Sequence, residues 1–469
     1  MFWYPCFFTK GSEKVASKFF TMKAPQFQSF SSYLAAMDPS PHPLHFLLLS
    51  FFILLSIAFP TIDAVKLSHR SNTLLLPVSK HASTHQYIAS IRRNASPVPT
   101  NVVLDLNGKY LWVSHDSSYN FSHKLPRSFN KCCNRCSAWN NRRNIKSHPC
   151  GKHRSRIVVR NTFSGRVSVG NLTKDVISMQ STDGLNPGFF ISAPFLFFSA
   201  PVTLTHGLAS HSKGVAGLGQ TTLALPTQFS RSFNLSRKFG VCLPPSSDTM
   251  GVIFFGNGPY DLLPGIDISK ILIHTPLIKH PRHQEQYFIG TRSIMVNSKR
   301  VTLRPSLLNM NRRGMKVINT KISITTPYSI LETSIYKSLT RLFIDESIAT
   351  NVTRVTPISP FGLCFSTKKC DDKVPCRVAM PVIDLVMQSD VVFWRIFETN
   401  SMIKMREDVS CLGFLDGGVS KGAASIVIGA NLLEDNLLQF DLELNRLGFS
   451  SSLLLSQTSC ANFNFTSSV

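Results

Sequence analysis

Short apolar runs broken by turn residues dominate the chain from Leu74 to Phe449. The stretches "LLLPVSKHASTHQYIASI" and "TNVVLDLNGKYLWVSHD" alternate apolar and polar positions, which predicts strands separated by turns. "GVAGLGQTTLALPTQF" reads as a glycine-punctuated strand and turn leading into one short helix, and "MGVIFFGNGPY" as a strand ending in a tight turn. "EQYFIGTRSIMVNSKRVTL" predicts a hairpin turning at Asn297-Ser298. "ASIVIGANLLEDNLLQFDLELNRLGFS" predicts a strand, a loop and a hairpin. In "TKISITTPYSILE", Ile322, Ile324 and Ile330 are apolar and Pro327 interrupts the strand. Helix-compatible spacing then runs from Leu331 to Leu342. No long helical period dominates, so the expected class is all-β.

Length and charge add to this picture. A chain of 469 residues buries a large core and is expected to form two lobes, 65–275 and 276–469. Lys and Arg number 50 against 26 Asp and Glu, a formal net charge of +24. That balance, with 10% aromatic residues, describes a folded basic protein and favours anionic partners.

The N-terminal segment points to a compartment. Leu44 to Phe59 is nearly uncharged, and small residues follow at Ala58 and Ala64. This is the layout of a secretory signal. The run is short for a membrane span, and a proline and an aspartate follow it. Met37 is the natural start of such a signal, so 37–64 is expected to be the signal peptide and 1–36 an upstream extension.

Eleven cysteines fit that context, and excluding Cys6 leaves an even ten. Six N-glycosylation sequons occur, at Asn94, Asn120, Asn171, Asn234, Asn351 and Asn464. Cys132, Cys133, Cys136 and Cys150 have partly zinc-like spacing, but the second half lacks a matching Cys-x-x-Cys and a secretory compartment favours disulfides. The glycine turns "GLNPGFF" and "FFGNGPY" lack the Lys-Ser/Thr of a phosphate loop. "GVSKG" at 418–422 matches Gly-x-Ser-x-Gly, but a loop precedes it and a strand follows, the reverse of a nucleophile elbow. No metal or cofactor is expected. The basic segment 141–160 has Trp139 as its nearby aromatic residue; it suits a solvated loop or an acidic cell-wall polysaccharide better than nucleic acid. No membrane association is expected after signal cleavage.

Several segments carry a family likeness: "STHQYIASI", "LDLNGKYLWV", "GVIFFGNGPY", "YFIGTRSI", "TPYSILETSIY", "IDLVMQ", "EDNLLQFDLELNRLGFSSSLL" and "CANFNF". Over roughly 74–469 the chain resembles the pepsin-like aspartic proteases. It is more similar still to the plant group of basic 7S globulin and the extracellular inhibitors of fungal xyloglucan endoglucanases and xylanases. The resemblance implies a bilobal pepsin-like fold with a degenerate active site. It also implies the disulfides Cys364–Cys411 and Cys242–Cys460, with Cys370 and Cys376 able to close a small loop. Sequence alone fixes none of these pairings.

Aspartic proteolysis needs two carboxylates that share a proton. On the resemblance, Asp105 holds the first catalytic position and Ser323 the second, and no acid lies between Gly314 and Leu331. Leu106-Asn107 replaces the Thr-Gly that would brace the pair. No Tyr lies between Tyr119 and Tyr260, where a protease flap would carry one. Asp105 is therefore expected to be structural and the chain not to be a peptidase. The resemblance implies instead an extracellular (apoplast or cell-wall) inhibitor of microbial glycoside hydrolases, or else a storage or peptide-hormone-binding globulin. A cation from a surface loop would pair with the carboxylates of the glycosidase. The candidates are Lys421, Arg354, Lys404 and Arg406.

Overall fold

The computed structural model describes residues 73–94, 96, 98–115, 156–263, 266–310, 316–350, 352–367, 379–419 and 424–466. The segments 1–36 and 37–64, Lys421, Asn120, Asn351, Cys132, Cys133, Cys136, Cys150, Cys370 and Cys376 lie outside the described residues.

The first half supplies strands β1 (Thr73–Lys80), β2 (Tyr87–Arg93), β3 (Thr100–Asp105), β4 (Leu111–His115) and β5 (Arg156–Arg160). The long pair β6 (Val167–Thr182) and β7 (Pro187–Pro201) follows, then β8 (Gly214–Gly217), β9 (Lys238–Cys242) and β10 (Met250–Gly256). The unbroken apolar runs of β1 and β10 have a physical reason. Leu74, Leu76, Ile253 and Phe255 face the main core, while Leu75, Val252 and Phe254 face a second cluster on the opposite side. A strand covered on both faces has no polar side to alternate.

One connection occurs twice. β3 runs parallel to β8, β8 antiparallel to β4, and β4 parallel to β7. In the second half Lys316–Ile322 runs parallel to Ile426–Ile428, which is antiparallel to Ser329–Leu331, which is parallel to Phe414–Asp416. This repeat is the pepsin-like arrangement that the resemblance implies. Asp105 ends the first strand of one copy, and Ser323 follows the first strand of the other.

The expected hairpin turn is present, and the expected helix differs at both ends. Asn297 and Ser298 both have positive φ, 45° and 67°, the backbone of a tight two-residue hairpin turn between Ser293–Val296 and Lys299–Arg300. The helix after Pro327 spans Thr333–Ala349 and so passes the expected end at Leu342. Ile335, Leu339, Phe343 and Ser347 continue one buried face at four-residue spacing, which carries it on. Glu332 caps its start, accepting from the N–H groups of Ser334 and Ile335.

The two halves share core and sheet. Leu437–Asp441 pairs with β9, from Leu437 opposite Cys242 to Asp441 opposite Lys238. Cys242 is bonded to Cys460, and Cys364 to Cys411. Glu434 adds a buried polar fastening between them. Its Oε1 accepts from Lys80 Nζ at 2.7 Å and from the Tyr87 hydroxyl at 2.6 Å.

Burial pushes the Glu434 carboxyl up to about 7, against the lowering pull of Lys80 and Tyr87. A carboxyl raised in the folded state binds protons that the unfolded chain has already released. Its stabilising contribution is complete below the unfolded value of 4.5 and is lost as pH rises through about 7. Stability should thus fall by up to about 3 kcal/mol across this window, at 1.36 kcal/mol per pH unit. Urea midpoints at both ends of the window should show the fall, and Glu434→Gln should flatten it. An unchanged slope in the variant would assign the effect to other groups.

Candidate functional site: the paired strand ends

Both strand ends are buried. Asp105 is 2% exposed and Ser323 is 1% exposed. The Asp105 carboxylate accepts from the Asn107 N–H at 2.9 Å, with the Thr162 side chain also favouring its charged form. Its backbone carbonyl accepts from Gly108 and Leu218. Burial raises its pKa, opposed by Asn107, Thr162 and Lys321, while Glu285 adds to the rise. Gly108 and Gly217 cross so closely that a Cβ on Gly108 would lie 2.6 Å from the Gly217 Cα. No other residue fits that crossing.

At the second strand end the Ser323 N–H donates to Ile428 O, and its hydroxyl is 3.0 Å from the Thr325 hydroxyl. A hydroxyl held by another hydroxyl cannot act as a carboxylate base.

Asn107 departs from the sequence expectation. In place of a missing brace, it is a brace of another kind. Its Nδ2 donates to Ile322 O at 2.8 Å, and its Oδ1 accepts from the Tyr287 N–H at 3.0 Å. One side chain therefore ties the first loop to two segments of the second half. Lys321 and Glu285 were missed as well. Burial lowers the pKa of Lys321, opposed by Asp105 and Glu285, and Glu285 is turned toward Lys109 and His283, each at 3.9 Å. The sequence carries little signal for them: Lys321 lies in a strand of mixed polarity, "KVINTKI".

Three candidate cations lie on one four-stranded sheet, ordered Arg354–Val355, Cys364–Ser366, Val409–Leu412 and Met402–Arg406. Arg354, Phe365, Ser410 and Lys404 form one cross-strand row, with Arg354 and Lys404 exposed at its ends. Cys364 and Cys411 lie opposite each other on the two middle strands. Lys404 is already taken by Glu407, at 3.0 Å. Arg406 is exposed beyond a register shift. Of the sequons, Asn94, Asn234 and Asn464 are exposed, whereas Asn171 sits mid-strand between β5 and β7. Among the described residues no group of three or more His, Cys, Asp or Glu could hold a metal ion, and no helix is long and apolar enough to cross a membrane.

Comparisons with known proteins agree with this geometry. The chain matches the family models described as Xylanase inhibitor N-terminal, over residues 87–257, and Xylanase inhibitor C-terminal, over residues 286–451. It is 43% identical to probable aspartic proteinase GIP2 of Nicotiana benthamiana over 418 residues, 85% of this chain and 93% of that protein. It is 38% identical to gamma conglutin 1 of Prunus dulcis over 441 residues, 91% of this chain and 98% of that protein. Among solved structures it is similar to edgp, with a TM-score of 0.74 and 41% identity, covering 85% of this chain and all of that one.

Proposed function

This chain belongs to the xylanase-inhibitor family of pepsin-fold proteins, and we propose that it is a secreted inhibitor of microbial cell-wall glycoside hydrolases with no peptidase activity of its own. One observation carries the loss of chemistry: a carboxylate ends the first repeated strand, and a Ser323 hydroxyl stands at the matching place after the second. General acid–base work on water needs both groups to be carboxyls. The scaffold is kept, so its function lies in its surface.

The cations set the mode of action. A glycosidase cleft presents ionised carboxylates, and a lysine or arginine inserted there excludes sugar. Among the described residues Arg354 and Arg406 are the exposed candidates with no ion pair, and Lys421 is the candidate in the Gly-rich stretch between two strands.

The purified protein should inhibit a fungal xyloglucanase or xylanase and should not cleave denatured haemoglobin at acid pH. Ser323→Asp alone should leave it inactive. Lys421→Ala should raise the inhibition constant roughly thirtyfold, the effect of losing a central contact of about 2 kcal/mol, with Arg354→Ala next in size. Lys270→Ala, on an exposed turn of the first half, should change it little. Inhibition should weaken as pH falls through the pKa values of the enzyme's acids. Unchanged hydrolase rates at micromolar excess would return the chain to the storage or hormone-binding reading.

A further inference from the structure

The open face shared by β2, β6 and β7 carries an arrangement that neither the paired strand ends nor the inhibitory cations use. Alternate residues of a strand share a face. Arg92 of β2 lies opposite Ser178 of β6, which lies opposite Ser192 of β7. Gln180 and Phe190 form the next pair on the same face, and Lys174 lies four residues back along β6. The Arg92 guanidinium sits over the Phe190 ring, 4.3 Å from its centre. Phe190 remains 47% exposed, and Arg92 and Lys174 are exposed. The hydroxyls of Ser178 and Ser192 are 2.8 Å apart.

Charge on this face has one sign. Asp175, the nearest acid in sequence, points the other way and pairs with Arg93 at 3.5 Å. Among the described residues neither Arg92 nor Lys174 is in an ion pair.

We propose that this face binds an acidic polysaccharide, a chain of uronate sugars, independently of any inhibited enzyme. Each group has a matching partner. The exposed part of the Phe190 ring that the guanidinium leaves uncovered suits the C–H face of a sugar. Two hydroxyls and an amide suit sugar hydroxyls. A guanidinium held flat by the ring beneath it presents its fork to a carboxylate. Lys174 stands about 13 Å further along the strand, at 3.3 Å per residue, where it meets a second carboxylate of an extended chain. A second copy of this protein would bring like charges together. A neutral polymer would leave both cations unpaired. The net charge of +24 adds long-range attraction for a polyanion.

The test is titration calorimetry of the full chain with de-esterified oligogalacturonide at low salt. Binding should weaken with added salt and nearly vanish for the methyl-esterified oligomer. Arg92→Lys keeps the charge but loses the fork and the stacking, so it should weaken binding about tenfold. Phe190→Ala should do the same, and Lys270→Ala should stay within about twofold, as a remote charge does. The proposal is overturned if Arg92→Lys binds like the parent, which would leave only diffuse charge attraction. It is also overturned if the esterified oligomer binds equally well, or if RNA of equal charge displaces the uronate.

Discussion

Replacing Cys242 and Cys460 together with serine should lower the unfolding free energy by about 5 kcal/mol, on the chain-entropy model of disulfides. The bond joins residues 218 apart in sequence. Without it, the unfolded chain regains the freedom of that whole loop. The folded state has little means of recovering the loss. Cys460 is fully buried, its N–H donates to Asp435 Oδ1 at 2.9 Å, and Phe463 just beyond it packs edge-on against Phe254. These contacts remain in the variant, but nothing holds the tail beside β9 when they loosen.

Cys364–Cys411 is the internal comparison. It joins residues only 47 apart, on strands already in register. Loop entropy grows with the logarithm of length, so its removal should cost about 1 kcal/mol less. Urea unfolding of both double variants at one pH measures the pair. Equal losses, or a loss under about 1 kcal/mol for Cys242/Cys460, would mean that the unfolded chain keeps those ends together by other contacts.

Local patterns made most of the strands legible, and the reason is that their signals are local. Alternation in β2 and the two-residue turn at Asn297-Ser298 depend on neighbours a few positions away. The continuous runs of β1 and β10 read as strands but did not reveal that two separate clusters cover them. What escaped depends on long separations. Asn107 looks like a failed Gly in the catalytic loop, yet it bonds Ile322, 215 residues away. Lys80, Tyr87 and Glu434 look like an ordinary charge, a strand aromatic and a loop acid until the fold joins them. Polar bridges of this kind follow no period, so only the assembled repeat exposes them.

Asp441→Asn should lower the unfolding free energy by about 3 kcal/mol at pH 6, the low end for breaking a buried ion pair. Asp441 is fully buried at the end of its strand. Its Oδ2 lies 3.4 Å from Lys238 Nζ and 3.2 Å from Arg446 Nε. Its Oδ1 accepts from the N–H groups of Glu443 and Leu444, closing the turn to Arg446. Asparagine keeps the turn contact but leaves two cations facing a neutral amide. Arg446 retains some contact with water, with its side chain 39% exposed, so the low end of the range applies. Burial pushes the Asp441 carboxyl up, but the Leu444 N–H, Lys238 and Arg446 outweigh it, and the net shift is downward. The sign is therefore opposite to that of Glu434. A carboxyl lowered in the folded state contributes stability that is present above its unfolded value of 3.8 and is lost as pH falls through the folded one. Parent and variant should differ most near pH 6 and converge as pH falls through the lowered folded-state value of Asp441. Urea midpoints across that range decide it. A gap that stays constant with pH would mean that the loss comes from the turn, not from the charge on Asp441.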